Sequence, residues 1–407
     1  MSTPGSRTNR RSFETIGAFA PRSFSLPSGS VLVLLTDLLI ATLVLVLPFV
    51  MGGREAWGHR LVITLALAMG CVWSLHRVRT GGRFVVTAIE PLLAAGLFLV
   101  WFQTMPVSNS TLAQLSGEYA RLLPGWAGTQ IAASGSNTEA VWATASLLPS
   151  ETRHAFWMLV AYGVIGIVVA QRLESEADCH QLLKLIGLSG ALMAAFAVVQ
   201  LMTSNDRFFW IYRQPYTGTR DILKGAFTNR NHFAQFLALS IGPLMWWMLA
   251  GRQTSAAPTV LHRKGLGPAQ GNHSRFDNLI EPKLLILLCA VGGVMVCVML
   301  SLSRGGMVAA GIACTVSLAG LWRSGKVRTS LAGIMLALGV SAIGGLIVFG
   351  QDRVEDRVSQ LASGNADKLD QLNARRLIWK ADLAAIKQFP IVGTGVGSHR
   401  YVYPMYM

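Results

Sequence analysis

LLILLCAVGGVMVCVMLSLSRGGMVAAGIACTVSLAGLW, residues 284–322, carries one charged residue, Arg304, among apolar, small and hydroxyl side chains. A helix rises 1.5 Å per residue, so about 20 residues cross a hydrocarbon core of roughly 30 Å. This stretch is about twice that length. It therefore reads as two helices, 284–302 and 306–322, joined by a tight turn at residues 303–305. As a single long helix it would reverse the membrane side of everything after it.

Working outward, further apolar runs lie at 31–50, 61–75, 85–105, 155–171, 183–203, 233–250 and 330–350, which makes nine expected spans. Of the 407 residues, 52% are hydrophobic and 14% are charged, against roughly 25% charged in an ordinary soluble domain. Mean hydropathy is +0.46. The expected fold class is an all-α polytopic helical membrane protein, and a soluble globular protein is excluded. The net charge of +15 would point to nucleic acid in a soluble chain. In a membrane protein it first raises the question of which side the cations occupy.

Residues 1–30, with Arg7, Arg10, Arg11 and Arg22 among Ser, Pro and Gly, read as a disordered basic tail on the cytoplasmic face. The first apolar run is longer than a signal-peptide core, so it reads as a retained helix of a transmembrane domain spanning 31–350. Alternation then puts 351–407 in a periplasmic loop. Up to residue 203 the Lys and Arg residues obey the positive-inside rule. Beyond it they do not: Arg207, Arg213, Arg220, Lys224 and Arg230, then Arg304, then eight cations from Arg353 to Arg400 all fall outside. Cations on the face where they should be scarce point to an anionic ligand.

Four segments carry that chemistry. Phe208-Phe209-Trp210-Ile211-Tyr212-Arg213 reads as an aromatic belt with an Arg anchor. Asn229-Arg230-Asn231-His232, at the start of the sixth span, places four hydrogen-bonding side chains where free backbone N–H groups already favour an anion. One such residue suffices for an N-cap. Arg304, followed by Gly305 and Gly306, must snorkel to headgroups or meet a partner. Further on, Arg375, Arg376, Trp379, Lys380 and Lys387 alternate with Leu377, Ile378, Leu383 and Ile386 at helical spacing, which predicts an amphipathic helix on the membrane surface, stopped by Pro390. Gly393, Gly395 and Gly397 follow in a loop that is either phosphate-contacting or closely packed, and no strand or βαβ unit supports a dinucleotide site. Guanidinium groups outside, beside interfacial aromatics, fit a lipid-linked diphosphate. Such a donor already carries a good leaving group.

Lys224 through Ala234 (KGAFTNRNHFA), Ser303-Arg304-Gly305-Gly306, and Arg376 through Gly397, together with Ser146 to Arg153 (SLLPSETR), resemble in order and spacing the bacterial O-antigen ligase/polymerase-like membrane proteins. The resemblance covers roughly residues 85–407. It implies metal-independent glycan transfer, with no cofactor, from an undecaprenyl-diphosphate-linked donor to an acceptor (lipid A core, glycan or protein). The chain would act in the bacterial inner membrane, with membrane lipids as partners and no nucleic acid. Carried over, Arg304, Arg220, Lys224, Arg230 and Arg376 hold the diphosphate, with Asn229, Asn231, His232, Gly393, Gly395 and Gly397 in support. The family's catalytic His and its His-Asn motif have no counterpart before Met407, so a truncated product is expected.

Asp37 and Glu90 are the carboxylates inside the expected spans, and both read as helix-packing residues, protonated or paired. The five cysteines have no zinc spacing and predict no disulfide. The competing reading is a transporter of a small anion, with the outer cations as an entry funnel. It predicts polar residues continuing inward, whereas the spans after 233 are almost purely apolar.

Overall fold

The computed structural model describes residues 30–82, 84–119, 144–220, 222–254, 282–324 and 375–407. The basic tail, the ninth expected span at 330–350 and the loop up to 374 lie outside the described residues. Eleven α-helices are named here: α1 Ser30–Leu45, α2 Ala56–Thr80, α3 Ile89–Thr104, α4 Asn109–Leu115, α5 Pro149–Arg172, α6 Glu176–Met202, α7 Arg230–Thr254, α8 Pro282–Leu300, α9 Arg304–Arg323, α10 Arg375–Gln388 and α11 His399–Val402. No strand is present among the described residues. Five helical segments are long and apolar enough to cross a membrane: Val31–Phe49, α2, α5, α6 and α9. The apolar helices Ile89–Thr104 and Leu285–Leu300 are shorter. The chain is an all-α polytopic membrane protein.

The deciding stretch is two helices. Ser301–Ser303 breaks it, with Leu302 in the left-handed region at φ 52°, and the Ser303 side chain caps α9 by accepting from the Gly306 amide at 3.1 Å. Elsewhere helices outrun their apolar runs. The expected spans 61–75 and 155–171 are helical over 56–80 and 149–172, because polar residues such as His59, Arg77 and Glu151 continue the helix beyond the apolar core. The third span begins only at Ile89. Glu90 therefore sits in a first helical turn, where its carboxylate accepts from the Thr87 amide (2.8 Å) and hydroxyl (2.7 Å), and does not lie mid-span as expected.

Side-chain contacts give the directions. α2 and α5 run side by side in the same sense: the His59 and His154 ring nitrogens lie 2.8 Å apart near one end, and Arg77 meets the Gln171 carbonyl and Glu174 at the other. α6 opposes α7, with Gly187 against Leu244 and Gly190 so close to Ser240 that no Cβ fits between them. Small residues at this contact let the helices approach without an aqueous driving force. α9 runs with α7, since Ser303 meets Asn231, Gly306 meets Ala234 and Ser317 meets Gly242. The largest apolar core lies among α6, α7, α8 and α9.

The bundle thus has two unlike ends. At one, Arg172 bridges Asp37 of α1 (2.8 Å to both oxygens) and Asp178 of α6 (2.8 Å). Asp37 is paired, and its partner is a cation from the far end of α5. At the other end lie the starts of α2, α5, α7 and α9, the segment 203–229, and the unit 375–407. There Ala385 of α10 and the neighbouring Phe389 pack with Leu112, Tyr119, Leu147 and Val402.

Candidate functional site

The site is built at this second end. Its foundation is the segment after α6. Phe208 and Tyr212 exchange backbone hydrogen bonds (2.8 and 2.9 Å), Asn205 donates to the Trp210 carbonyl (2.7 Å), and Asp206 accepts from the Thr219 amide (3.0 Å). Asp206, Phe209 and Trp210 take positive φ of 67°, 52° and 63°. Non-glycine residues held in that region mark a backbone over-determined by its surroundings. The expected belt is only partly one: Phe208 is fully buried and Phe209 packs on Phe196 of α6, because the knot folds their side chains back onto the bundle.

Over this knot lies a cavity of about 990 Å³, lined by Arg54, Glu55, Tyr212, Gln214, Pro215, Tyr216, Thr217, Ile222, Lys224, Thr228, Asn229, Arg230 and Arg400. Four cations from three separate stretches of chain converge there, with Glu55 the one carboxylate among the described lining residues. Lys224 forms the floor at 7% exposure, donating to the Thr217 hydroxyl with its ammonium over the Phe208 ring at 5.8 Å. Arg54 reaches the Thr228 hydroxyl at 3.5 Å. Among the described residues no carboxylate lies within ion-pairing distance of Arg54, Arg230 or Arg400. Three arginines with no carboxylate partner among the described residues build a positive potential that a multivalent anion neutralises.

Helix ends add to that field. Asn229 stands at the start of α7, its side chain accepting from the Asn231 amide (2.8 Å) and its carbonyl accepting from Phe233 (3.1 Å). The Asn231 side-chain amide oxygen accepts from the Ser303 hydroxyl at 2.8 Å. That bond ties the N-termini of α7 and α9 together and puts Arg304, the first residue of α9, on the same end. Of the four polar residues in Asn229–His232, Asn229 acts as the cap, Asn231 is the tie, and Asn229 and Arg230 line the cavity. His232 is exposed and does not line it.

The other expected residues sort as follows. Arg304, Arg220 and Arg376 are exposed and lie outside the cavity wall. Gly393, Gly395 and Gly397, at φ 66°, 100° and 87°, form a closely packed loop. Gly395 abuts Ser146 and would set a Cβ 2.8 Å from the Thr152 hydroxyl. Buried Gln103 of α3 clamps the loop, its amide donating to the Val392 carbonyl (2.6 Å) and accepting from the Val396 amide (3.2 Å). Thr152 donates to the Val396 carbonyl (2.9 Å), and the Tyr119 hydroxyl reaches the Gly393 carbonyl (2.6 Å). Burial holds the Tyr119 phenol well above its ordinary pKa, so it stays a donor. The SLLPSETR segment is thus the seat of the glycine loop, and the loop in turn delivers Arg400 to the cavity.

Arg54 and Arg400 were missed as site residues by sequence reasoning. The available signal was their position on the cation-poor side. What they lacked was a local motif.

Residues 285–407 match the family model described as O-antigen ligase. Over this region the chain is O-antigen ligase-like. The match takes in α8, α9 and the 375–407 unit, hence Arg304, the glycine loop and Arg400. No curated protein and no solved structure matches the chain. The match supports a role in glycosyl transfer during lipopolysaccharide or glycan assembly.

Proposed function

We propose that this O-antigen ligase-like chain transfers a glycan from an undecaprenyl-diphosphate carrier to an acceptor hydroxyl, at the periplasmic face of the inner membrane and without a metal. The observation carrying this reading is the convergence of Arg54, Lys224, Arg230 and Arg400 on one cavity beside two tied helix N-termini. In the transfer, the acceptor oxygen bonds to the sugar's anomeric carbon, the bond from that carbon to the diphosphate oxygen breaks, and the diphosphate leaves with the electron pair and takes up the acceptor hydroxyl's proton. Charge grows on the leaving oxygens, and preorganised cations and N–H dipoles stabilise it without reorganising. Arg304 and the start of α9 add field from the side. Arg220 and Arg376, on neighbouring elements, serve to attract the anionic headgroup and do not contact it.

The test is glycan transfer by the full-length protein in membranes. Arg230→Ala is expected to abolish transfer while insertion stays intact, and Arg230→Lys to restore little where bidentate geometry matters. Arg304→Ala is expected to reduce transfer in the same assay. Normal transfer by Arg230→Ala would overturn the assignment. A reporter active only in the periplasm, inserted at residue 213, should be active; an inactive one would overturn the side.

A further inference from the structure

The cavity has two chemically distinct walls, and the cations account for one of them. The other is Tyr212, Gln214, Pro215, Tyr216 and Thr217. Tyr216 is 92% exposed and Tyr212 is also exposed, although both sit on the knotted, strained segment that buries Phe208 completely. Neither phenol has a hydrogen-bond partner among the described residues. The Gln214 carbonyl oxygen is held by the Tyr216 amide at 2.7 Å. That fixes the side chain, and its NH2 group donates to nothing among the described residues. The wall is therefore aromatic and supplied with donors that no described residue takes up.

We infer that this wall is the subsite for the sugar directly attached to the diphosphate, a pyranose held by stacking on Tyr216 and Tyr212 and by hydrogen bonds from Gln214. The inference rests on the diphosphate reading above. A pyranose presents C–H groups on its faces and hydroxyls at its edge, and Tyr beside a primary amide offers the matching apolar body and polar tips. The depth gradient agrees. Lys224 lies at the floor and Tyr216 at the rim, as a donor requires when its lipid enters from the membrane and its glycan leaves toward water. Thr217 accepts from Lys224 while its neighbour Tyr216 forms the rim, so the two subsites adjoin at one residue step. The backbone pairing of Tyr212 with Phe208 and the bond from the Tyr216 amide to the Gln214 side chain hold the wall's backbone before the ligand arrives.

The experiment is equilibrium binding to the full chain in nanodiscs with two probes, undecaprenyl diphosphate and the same lipid carrying one N-acetylhexosamine. Tyr216→Ala and Gln214→Ala are each expected to weaken the sugar-bearing probe by about tenfold and to leave the bare diphosphate unchanged, while Tyr216→Phe retains most of the affinity. Equal loss on both probes would make the tyrosines headgroup anchors and overturn the proposal, as would no loss on either. Arg230→Ala separates the two readings: it should weaken both probes. If it leaves the bare diphosphate unchanged, the diphosphate site itself falls.

Discussion

Replacing Gln103 with Leu tests whether the glycine loop carries Arg400 into the cavity. Leu fills nearly the same space but can neither donate to the Val392 carbonyl nor accept from the Val396 amide. Gln103 is 3% exposed, so water cannot take over either role. A buried backbone group left unpartnered costs about 1–3 kcal/mol. The 2.6 Å bond belongs at the upper part of that range and the 3.2 Å bond at the lower, which puts the pair at about 4 kcal/mol. With about 1.4 kcal/mol per factor of ten, local opening of residues 392–402 should rise by roughly 100- to 1,000-fold. Phe389 stays packed on Tyr119 and Leu112, and that contact keeps the rest of the unit docked. Amide hydrogen exchange on the purified full-length protein reads this directly. Amides 394–402 should lose protection while those of α2 keep it. Affinity for a diphosphate probe should fall in proportion to the closed population. Unchanged protection at 394–402, or an equal loss in α2, would refute the reasoning.

Other substitutions probe the remaining contacts. Gly395→Ala is expected to lower thermal stability by about 2 kcal/mol or more, because φ is 100° and the new methyl meets Ser146 and Thr152. Gly292→Ala, in helix α8 with nothing within 4 Å of the added carbon, should leave stability unchanged or higher. Asp37→Asn removes one of two carboxylates from Arg172, whose side chain is 16% exposed. The loss is expected at about 2 kcal/mol in detergent melting, below that of a fully buried pair because Asp178 remains and water reaches the site. Ser303→Ala takes away both the α9 cap and the tie to Asn231. It should cost about 1 kcal/mol and weaken diphosphate binding, with Ser303→Thr restoring both in the same melting and binding measurements.

Several features of the molecule were legible one residue at a time. A lone Arg in a long apolar stretch cannot sit mid-membrane, so a turn at 303–305 followed from length and charge alone, and the structure sets the break at 301–303. A helix start within Asn229–His232 followed from capping residues, and α10 from its spacing. The boundaries of α2 and α5 did not, since a polar residue at a helix end is compatible with either helix or loop until a neighbour decides. The glycine run shows the same limit. Sequence left it open between touching phosphate and packing, and the choice depends on Gln103, Tyr119 and Thr152, which lie far away in the chain.

Membrane class, helical content, the two-helix reading of 284–322 and the excess of cations after residue 204 were determined by the sequence alone, because length, hydropathy and charge are local quantities. Only the tertiary structure decided which cations act together. Arg54 and Arg400, 346 positions apart in the chain, line one cavity with Lys224 and Arg230. Arg304, the most conspicuous cation in the sequence, stands at its side. Electrostatic convergence depends on distance in space, and that distance is set by the packing of α6 and α7, by the Asn231–Ser303 tie and by the clamp at Gln103.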